Sequence, residues 1–489
     1  MALGNGRRDG DSAFPGEPGV GVDLEPPFVA RDEATRWLFS LNRFGIRPGM
    51  ERIRGLLKDL GHPENRLRTL VVAGTNGKGS TTRILARLLQ AAGYKVATYT
   101  SPHLLDVYER ILIDDRPVDA AAFAARVEAI RPLVEKHEAS WFEALTALAV
   151  QIAQEEEVDF LCCETGLGGR LDASNALPAV ATLLTTVGLD HQRILGDSLE
   201  IIAAEKLGLL KKGVPFFCGV GPDLRTQAFT AAVMAGSPCH FLDELTRWQD
   251  TPAADGSGAG PGTWDLMLRE KVFPGLPDPG TLTMRRNVAL AVLALSELET
   301  GLGLTLLPAQ VGTALGNLFL PGRYQTVLSA PDWIFDTAHN TQALENVWRE
   351  FAGRPGPGRK VVVFGSMYDK DAPADAGALL AGCDALIGVP VTLPRSRTCA
   401  ELEDLFRGWG RDPVAWPATA ASLPDAAVAP DIPQALRLLA RLLRPEDAVL
   451  VTGSCFTVAE VLYRLGFKDL EATRTTVAAA GVLDSMGDY

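Results

Sequence analysis

The sequence predicts an α/β protein of two domains, each built on a mainly parallel sheet with helices on both faces. Three observations predict this class. The chain has 489 residues, which is too long for one ordinary hydrophobic core. Its composition, 47% hydrophobic and 22% charged, is that of a globular protein. Short apolar runs alternate with longer stretches of helical periodicity, and this alternation is typical of parallel strands joined by helices.

Four segments are expected along the chain. Residues 1–30 are rich in Gly, Pro and acidic residues and are expected to be a disordered leader. The strand–helix pattern begins near residue 31 and restarts around Leu320-Pro321-Gly322. This restart predicts a larger domain over 31–320 and a smaller, Rossmann-like domain over 321–470. Residues 471–489 are expected to form a flexible tail.

The first domain is expected to open with helices and to continue as strands and helices in turn. Helical spacing covers 34–41, 50–60, 81–92, 120–136 and 141–156. Apolar runs predict strands at 70–73, 94–99, 160–163, 180–185 and 215–220. Gly93 stands where the C-terminal glycine of a helix is expected. The Gly/Pro/Ser-rich stretch 251–262 is expected to be a surface insertion.

The second domain repeats the alternation with fewer elements. Its predicted strands are 333–335, 360–364, 385–389 and 448–451, and its clearest predicted helix is 432–443. The pattern shows no internal repeat.

Charge and cysteine content exclude several classes of protein. The net charge of −13 argues against a nucleic-acid partner, because phosphate neutralisation needs a basic stripe. No uncharged apolar run reaches the roughly 18 residues that a membrane span needs. The seven cysteines are scattered and form no C-x-x-C pair, which is typical of reduced thiols in a cytoplasmic protein. We therefore expect a cytoplasmic enzyme that acts on small molecules.

A glycine-rich loop joins a predicted strand to a predicted helix, with the sequence Gly74-Thr75-Asn76-Gly77-Lys78-Gly79-Ser80. Its glycines let backbone N–H groups face inward, and the following helix offers the positive end of its dipole. Lys78 can neutralise phosphate oxygens. The general phosphate-loop pattern is not met, since Val72 and Gly79 stand where a glycine and a hydroxyl are expected. A turn without a ligand is the alternative, but the strand–loop–helix context favours nucleotide binding.

The loop string resembles that of the folylpolyglutamate synthase and dihydrofolate synthase family, a branch of the Mur-type ligases, in its bacterial bifunctional type. Seven further motifs resemble this family in order and spacing, between about Trp37 and Leu465. They are Thr100–Leu104 with Glu109-Arg110, Ser140–Glu143, Glu164–Asp172, Asp190-His191, Glu205-Lys206, Leu320–Arg323 and Asp336–Asn340.

The resemblance implies ligation, with a role in folate biosynthesis and one-carbon metabolism. In this family ATP phosphorylates a substrate carboxylate, and the amino group of L-glutamate then attacks the acyl phosphate. The acceptor is 7,8-dihydropteroate or a reduced folate that already carries glutamate. One alternative is a related ligase that joins an amino acid to a cell-wall precursor. Another is a nucleotide-binding regulatory protein or kinase that hydrolyses ATP without ligation.

The resemblance also implies a set of metal and catalytic residues. Glu164, Ser101 and His191 match magnesium ligands, and an oxygen-rich set with one imidazole suits Mg²⁺. Lys206 matches a lysine that the family carries as a carbamate, which helps to hold a second Mg²⁺. The catalytic residues implied are Lys78, Lys206, Arg323 and His339.

ATP and substrate positions follow from the same matches. For ATP they are Thr75, Asn76, Gly77, Lys78, Gly79, Ser80, Asn287, Arg323 and Asp336. For the pterin they are Ser140, Trp141, Phe142, Glu143, Leu171, Asp172 and Ala173. Met284 replaces a glutamine that the family usually has three residues before Asn287. The family further implies a monomer, and the Asp369-Lys370-Asp371 cluster is either a family signature or a solvated turn.

Overall fold

A computed structural model describes residues 32–41, 49–251, 262–368, 370, 372–373, 376–380, 382–417 and 419–484. The predicted leader and nearly all of the predicted insertion at 251–262 lie outside these residues. Within them the chain forms two large, mainly parallel sheets and one small antiparallel sheet. The predicted α/β class is confirmed. No helix of the described residues has the length and apolar character needed to cross a membrane.

The first large sheet has eight strands among the described residues, in the order β4-β3-β2-β5-β1-β6-β7-β8. They are β1 (Arg68–Ala73), β2 (Val96–Tyr99), β3 (Ile111–Ile113), β4 (Arg116–Pro117), β5 (Phe160–Glu164), β6 (Ala179–Leu184), β7 (Phe216–Cys218) and β8 (Cys239–Phe241). The six strands from β2 to β8 in this order are parallel, and β3 and β4 form an antiparallel edge. The carboxyl ends of β1, β5 and β6 therefore lie side by side.

Helices cover both faces of this sheet because its strands are apolar on both sides. They are α1 (Glu33–Ser40), α2 (Glu51–Asp59), α3 (Lys78–Ala91), α4 (Ala120–Lys136), α5 (Trp141–Glu155), α6 (Gln192–Leu195), α7 (Leu199–Leu207), α8 (Pro222–Ala235), α9 (Leu242–Leu245), α10 (Leu282–Leu302) and α11 (Pro308–Gly316). Along β1, Leu70 and Val72 pack with α3, α10 and α11 on one face. Val71 and Ala73 point to the other face, where α7 and α8 pack.

A small antiparallel sheet, absent from the predicted elements, follows α9. Its strands are β9 (Thr246–Thr251), β10 (Thr263–Leu268) and β11 (Lys271–Pro277). Trp264, Leu266 and Leu268 alternate along β10 and are buried in the same core as α10. That alternation is the period of a half-buried strand, so the sequence did carry a signal for this sheet.

The second large sheet has seven strands among the described residues, in the order β16-β15-β14-β17-β13-β12-β18. They are β12 (Gln325–Ser329), β13 (Asp332–Phe335), β14 (Lys360–Phe364), β15 (Ala385–Gly388), β16 (Ala426–Val428), β17 (Ala448–Thr452) and β18 (Val477–Ala478). The flanking helices are α12 (Thr341–Gly353), α13 (Gly377–Leu380), α14 (Cys399–Gly408), α15 (Ile432–Leu442), α16 (Cys455–Arg464) and α17 (Ala479–Asp484). Only the β12–β13 pair is antiparallel within this sheet's described strands.

The passage between the two large sheets lies near the predicted boundary. Helix α11, which packs against the first sheet's core, ends at Gly316, and β12 begins at Gln325. Pro321 falls between them. The division into domains over 31–320 and 321–470 stays a prediction.

The C-terminal segment differs from the predicted flexible tail over 471–489. Strand β18 pairs in parallel with β12, and α17 buries Ala479 and Leu483 in the second sheet's core. These two residues are four apart and so lie on one helix face. The tail prediction is wrong for the described residues up to 484, because two apolar residues are too few to establish a period in the sequence.

Candidate active site

The glycine-rich loop connects β1 to α3 and has a backbone that only glycine adopts easily. Gly74 and Gly77 have φ angles of +154° and +83°. A Cβ at Gly77 would stand 2.6 Å from Oδ1 of Asn287, and one at Gly74 would stand 1.9 Å from Oγ1 of Thr185. The glycines therefore serve both the turn and the close approach of neighbouring side chains.

Contacts with the end of β6 hold this loop in place. The Thr75 N–H donates to the carbonyl of Thr186 at 2.7 Å, and the Asn76 N–H donates to the Thr186 hydroxyl at 3.1 Å. Gly77, the residue before α3, supplies no side-chain cap. The first N–H groups of α3 are thus left without a side-chain acceptor and face the cleft, as an anion site requires.

Glu164 ends β5, directly beside the loop. Its side chain is buried, and its Oε2 accepts the Ser101 N–H at 2.8 Å. Burial raises the pKa of Glu164, and the positive charge of Lys78, the Ser101 N–H and the charge of Arg323 oppose that rise. The carboxylate therefore lies among cationic groups from both lobes of the protein. The first lobe is the part built on the eight-stranded sheet, and the second lobe is the part after Pro321, built on the seven-stranded sheet.

Lys206 lies on α7, and its side chain reaches the glycine-rich loop. Only 5% of the residue is exposed, and its Nζ donates to the Gly74 carbonyl at 2.9 Å. Burial, and then the charge of Lys78, lower the pKa of Lys206 to about 7. A large fraction of this amine is thus neutral near pH 7, unlike that of a surface lysine.

His191 precedes α6 in the left-handed conformation, with φ +52°. Its Nε2 lies 3.0 Å from the Lys370 Nζ, which also contacts Asp190 Oδ1 at 2.8 Å. Burial and the Lys370 charge lower the pKa of His191 to about 4. The ring is therefore neutral near pH 7, and its Nε2 lone pair faces a cation.

The second sheet contributes its own strand–loop–helix unit, from β13 to α12. Asp336 follows β13 and accepts N–H groups of Tyr324 and Ala338, each at 2.8 Å. Burial raises the pKa of Asp336, and the charge of Arg323 opposes the rise. His339 places Nδ1 2.9 Å from the Thr337 carbonyl and Nε2 3.5 Å from Asp190 Oδ2.

These residues meet in an open cleft between the two lobes. It brings together all the predicted ATP, metal and catalytic positions: Thr75, Asn76, Gly77, Lys78, Gly79, Ser80, Ser101, Glu164, His191, Lys206, Asn287, Arg323, Asp336 and His339. Met284 also lines it. In the described part of the chain, no three His, Cys, Asp or Glu side chains cluster as metal ligands. A metal here would depend on Ser101 and Lys206 as well.

The predicted pterin positions are not among the residues that line this cleft. Ser140 caps α5, and Glu143 closes the capping box and accepts from Arg52 Nε at 3.0 Å. Trp141 stacks on Phe39, with ring centroids 6.1 Å apart, and lies 4.3 Å below the Arg110 guanidinium carbon. These side chains are engaged in the fold of the first lobe.

The remaining pterin positions lie behind residues that line the cleft, on the side of the first lobe's core. A Cβ at Gly166, which lines the cleft, would stand 2.5 Å from the Phe142 ring. Asp172 accepts the Leu167 N–H at 2.8 Å and the Ser174 hydroxyl at 2.6 Å. Both Asp172 oxygens therefore shape the loop after β5, while Leu171 and Ala173 pack into the core of the first lobe.

Asp190, which lines the cleft, and two side chains that contact it had no assigned role in the sequence interpretation. Asp190 joins His191, His339 and Lys370, although the motif had drawn attention only to its neighbour. Lys370 belongs to the predicted charged cluster, whose Asp369 and Asp371 lie outside the described residues. Asn340 connects the two lobes. Each of the three follows a strand. Open α/β sheets bind ligands beyond the carboxyl ends of their strands, so this position was the signal that the sequence offered.

The fold and the cleft define a two-domain ATP-dependent ligase of the Mur type. The family described as "Mur ligase, glutamate ligase domain" matches residues 322–455. The dihydrofolate synthase/folylpolyglutamate synthase of Escherichia coli is 31% identical over 87% of this chain and 93% of its own. The enzyme of the same name from Bacillus subtilis is 29% identical over 90% of this chain and 100% of its own.

A solved structure agrees with these relatives. The bifunctional folylpolyglutamate synthase/dihydrofolate synthase of Yersinia pestis, complexed with AMPPNP and a manganese ion, is 29% identical with a TM-score of 0.74. The match covers 89% of this chain and 98% of that one. The protein therefore belongs to the dihydrofolate synthase/folylpolyglutamate synthase family, and this membership confirms the resemblance drawn from the motifs.

Proposed function

We propose that this protein uses ATP to join L-glutamate to 7,8-dihydropteroate and to reduced folates that already carry glutamate. The acceptor carboxylate attacks the γ-phosphorus of ATP, which forms an acyl phosphate and releases ADP. The glutamate amino group then attacks the acyl carbon, loses a proton and expels phosphate, which leaves an amide. The names and ligands of the relatives favour this function over a ligase that acts on a cell-wall precursor.

One observation carries the proposal. A glycine-rich phosphate loop, a buried carboxylate at the end of β5 and the Arg323–Asp336–His339 group of the other lobe line the same cleft. Phosphoryl transfer depends mainly on positioning and on cations placed around the transferred group. Lys78 and Arg323 are the cations proposed to meet the developing charge, because each opposes the burial-raised pKa of Glu164. Asn287, which packs against Gly77, is proposed to contact the adenine.

The residues present suit magnesium. Glu164 and Ser101 supply oxygen ligands, and His191 supplies a neutral nitrogen. Bound Mg²⁺ would neutralise phosphate and carboxylate oxygens. We propose that the site holds two Mg²⁺ ions.

Lys206 is proposed to be carbamylated and to help hold the second ion. The neutral amine adds CO₂ and releases a proton, so a lysine with a pKa of about 7 is suited to this reaction. The product is an anion in place of a cation. Lys206→Ala should abolish ADP release, and small carboxylates should partly restore it. Full activity of the variant without any additive would contradict the assignment.

The pterin is proposed to lie beside the loop after β5, where Phe142 and Asp172 support Gly166 and Leu167 at the edge of the cleft. Phe142 and Trp141 carry flat apolar rings, and the Asp172 carboxylate is proposed to accept from the N–H donors of the pterin ring. The residues proposed to support this site from within the first lobe are Ser140, Glu143, Leu171 and Ala173. The cytoplasmic location and the monomeric state stay predictions.

The test is ADP release by the purified protein with Mg²⁺-ATP and glutamate, with dihydropteroate, with tetrahydrofolate or with neither. Release with both acceptors supports both activities, and release with tetrahydrofolate alone restricts the protein to polyglutamylation. Omission of glutamate is the matched control, since ATP hydrolysis without ligation does not depend on it. Release that needs neither acceptor nor glutamate would favour a hydrolytic nucleotide-binding protein instead.

A further inference from the structure

Asn340 lies where the two lobes meet, at the residue before α12. It is 2% exposed, and its Oδ1 accepts the Ala343 N–H at 3.0 Å, so it caps this helix of the second lobe. The same side chain also reaches the first lobe. Its Nδ2 donates to Asn76 Oδ1 at 2.9 Å and to Asp190 Oδ2 at 3.2 Å.

Asn76 returns the contact from the phosphate loop. Its Nδ2 donates to Asn340 Oδ1 at 3.2 Å and to Gln342 Oε1 at 3.0 Å. The two primary amides thus form a reciprocal pair, with one hydrogen bond in each direction. The backbone of Asn76 is tied to the first sheet, because its carbonyl accepts the Thr185 hydroxyl at 2.6 Å.

The amide pair links two loops that carry reacting groups. Asn76 is two residues before Lys78, and Asn340 directly follows His339. A shift of either amide would change the distance between the phosphate loop and the Asp336–His339 segment. An error of about 1 Å in such a distance costs about a hundredfold in rate.

We propose that Asn340 is a positioning residue that holds the phosphate loop and the second lobe in the arrangement needed for phosphoryl transfer. This inference rests on the proposed function. The role requires a primary amide, because one group must donate to Asn76 while it accepts from Asn76 and from α12. An aspartate would keep the cap, lose the donor and place a carboxylate beside Asp190.

The first test compares Asn340→Ser with the wild type. Serine is as good a helix cap as asparagine but has no amide to pair with Asn76. We expect kcat for ADP release with glutamate and tetrahydrofolate to fall about tenfold, while ADP affinity changes less than about threefold. Thr398→Ser, a cap exchange on α14 of the same lobe, is the matched control and should leave kcat unchanged. Wild-type kcat in Asn340→Ser would overturn the inference.

A double-mutant cycle separates positioning from a merely structural role. Asn76→Ser and the double variant Asn76→Ser/Asn340→Ser are measured beside the single Asn340 variant. If the two amides act as one pair, the double variant should be no slower than the slower single variant. Losses that multiply would show that the two residues act independently and would overturn the inference.

A third readout does not depend on ligation. Solution X-ray scattering of the wild type and of Asn340→Ser, each with Mg²⁺-AMPPNP, should give a larger radius of gyration for the variant. Equal radii would contradict the proposed link between the lobes. If the wild type released no ADP with either acceptor, the proposed function would fail, and scattering would still decide whether the amide pair holds the lobes together.

Discussion

Each lobe contributes a strand–loop–helix unit to the cleft, but the first loop acts through backbone N–H groups and the second through side chains. In the first lobe β1 leads through Gly74–Gly77 to α3, and in the second β13 leads through Asp336–Asn340 to α12. The first helix begins without a side-chain cap, whereas Asn340 caps the second. The first loop therefore offers backbone N–H groups to an anion, and the second acts through side chains.

This difference shows why the two loops tolerate substitution differently. The glycine loop depends on backbone angles and on close contacts, so the smallest added side chain disturbs it. The side-chain loop depends on particular functional groups at Asp336, His339 and Asn340. Four sets of substitutions test this contrast.

Lys78→Ala should have the largest effect on catalysis. The lysine carries the charge of the first loop, and its removal should lower kcat for ADP release by about 10³-fold, in line with the loss of a group that stabilises transition-state charge. Steady-state kinetics with saturating glutamate and acceptor measure this. Lys58→Ala, on the exposed face of α2, is the control and should have wild-type activity. A kcat within about tenfold of wild type would contradict the assigned role.

Arg323→Ala should have the next largest effect, on turnover more than on nucleotide binding. Arg323 belongs to the second lobe but opposes the burial-driven rise in the pKa of Glu164 in the first, so its charge acts across the cleft. We expect kcat to fall about 10²-fold while ADP affinity changes little. Arg323→Lys, which keeps the charge but loses the planar fork, should be intermediate. An unchanged rate with saturating substrates would refute this role.

Gly77→Ala should weaken nucleotide binding about tenfold, because an alanine in the left-handed region costs about 1–2 kcal/mol and relief of this strain would displace the phosphate loop. The added Cβ would also stand 2.6 Å from Asn287. Calorimetric titration with ADP measures the affinity. Gly93→Ala provides the matched control, since its φ is +95° and a Cβ there would meet nothing within 4 Å. That variant should lose stability alone, and equal affinity losses in both variants would show that backbone strain, not the loop, is responsible.

Asn340→Ala should have the smallest effect among the four, measured as stability. The loss of the α12 cap should lower the free energy of unfolding by about 1 kcal/mol, and Asn340→Ser should recover most of it. Urea denaturation of the two variants checks this. Gly77 supplies no side-chain cap to α3, so its alanine variant does not test capping. Equal stabilities of the alanine and serine variants would show that the cap is unimportant.

Much of the fold could be predicted because its signals are local. The runs at β1, β5 and β6 are mostly apolar, and the helices between them carry a clear period. The sheet of β9–β11 and the helix α17 escaped prediction for different reasons. The first alternates over a stretch interrupted by a Gly/Pro/Ser-rich segment, and the second has only two buried apolar residues.

The candidate site likewise contains residues that the sequence could identify and residues that it could not. Lys78, Glu164 and Asp336 could be identified from motifs because each lies between the last residue of a strand and the first residue of the next helix. Ser140 and Glu143 matched pterin positions, yet the structure places them in the capping box of α5. The roles of Asp190 and Lys370 could not be derived, since each depends on partners far away along the chain.

The class of chemistry can be recognised from one short segment of the chain. The phosphate loop is contiguous, and its glycines, its lysine and the helix after it lie within one short segment, so residue types alone indicate an anion site. How the second lobe meets that loop depends on tertiary packing. Asn76 and Asn340 are 264 residues apart, and no local pattern can reveal that their amides pair. Such contacts arise from the packing of whole sheets, which fixes the distances between loops that the sequence lists separately.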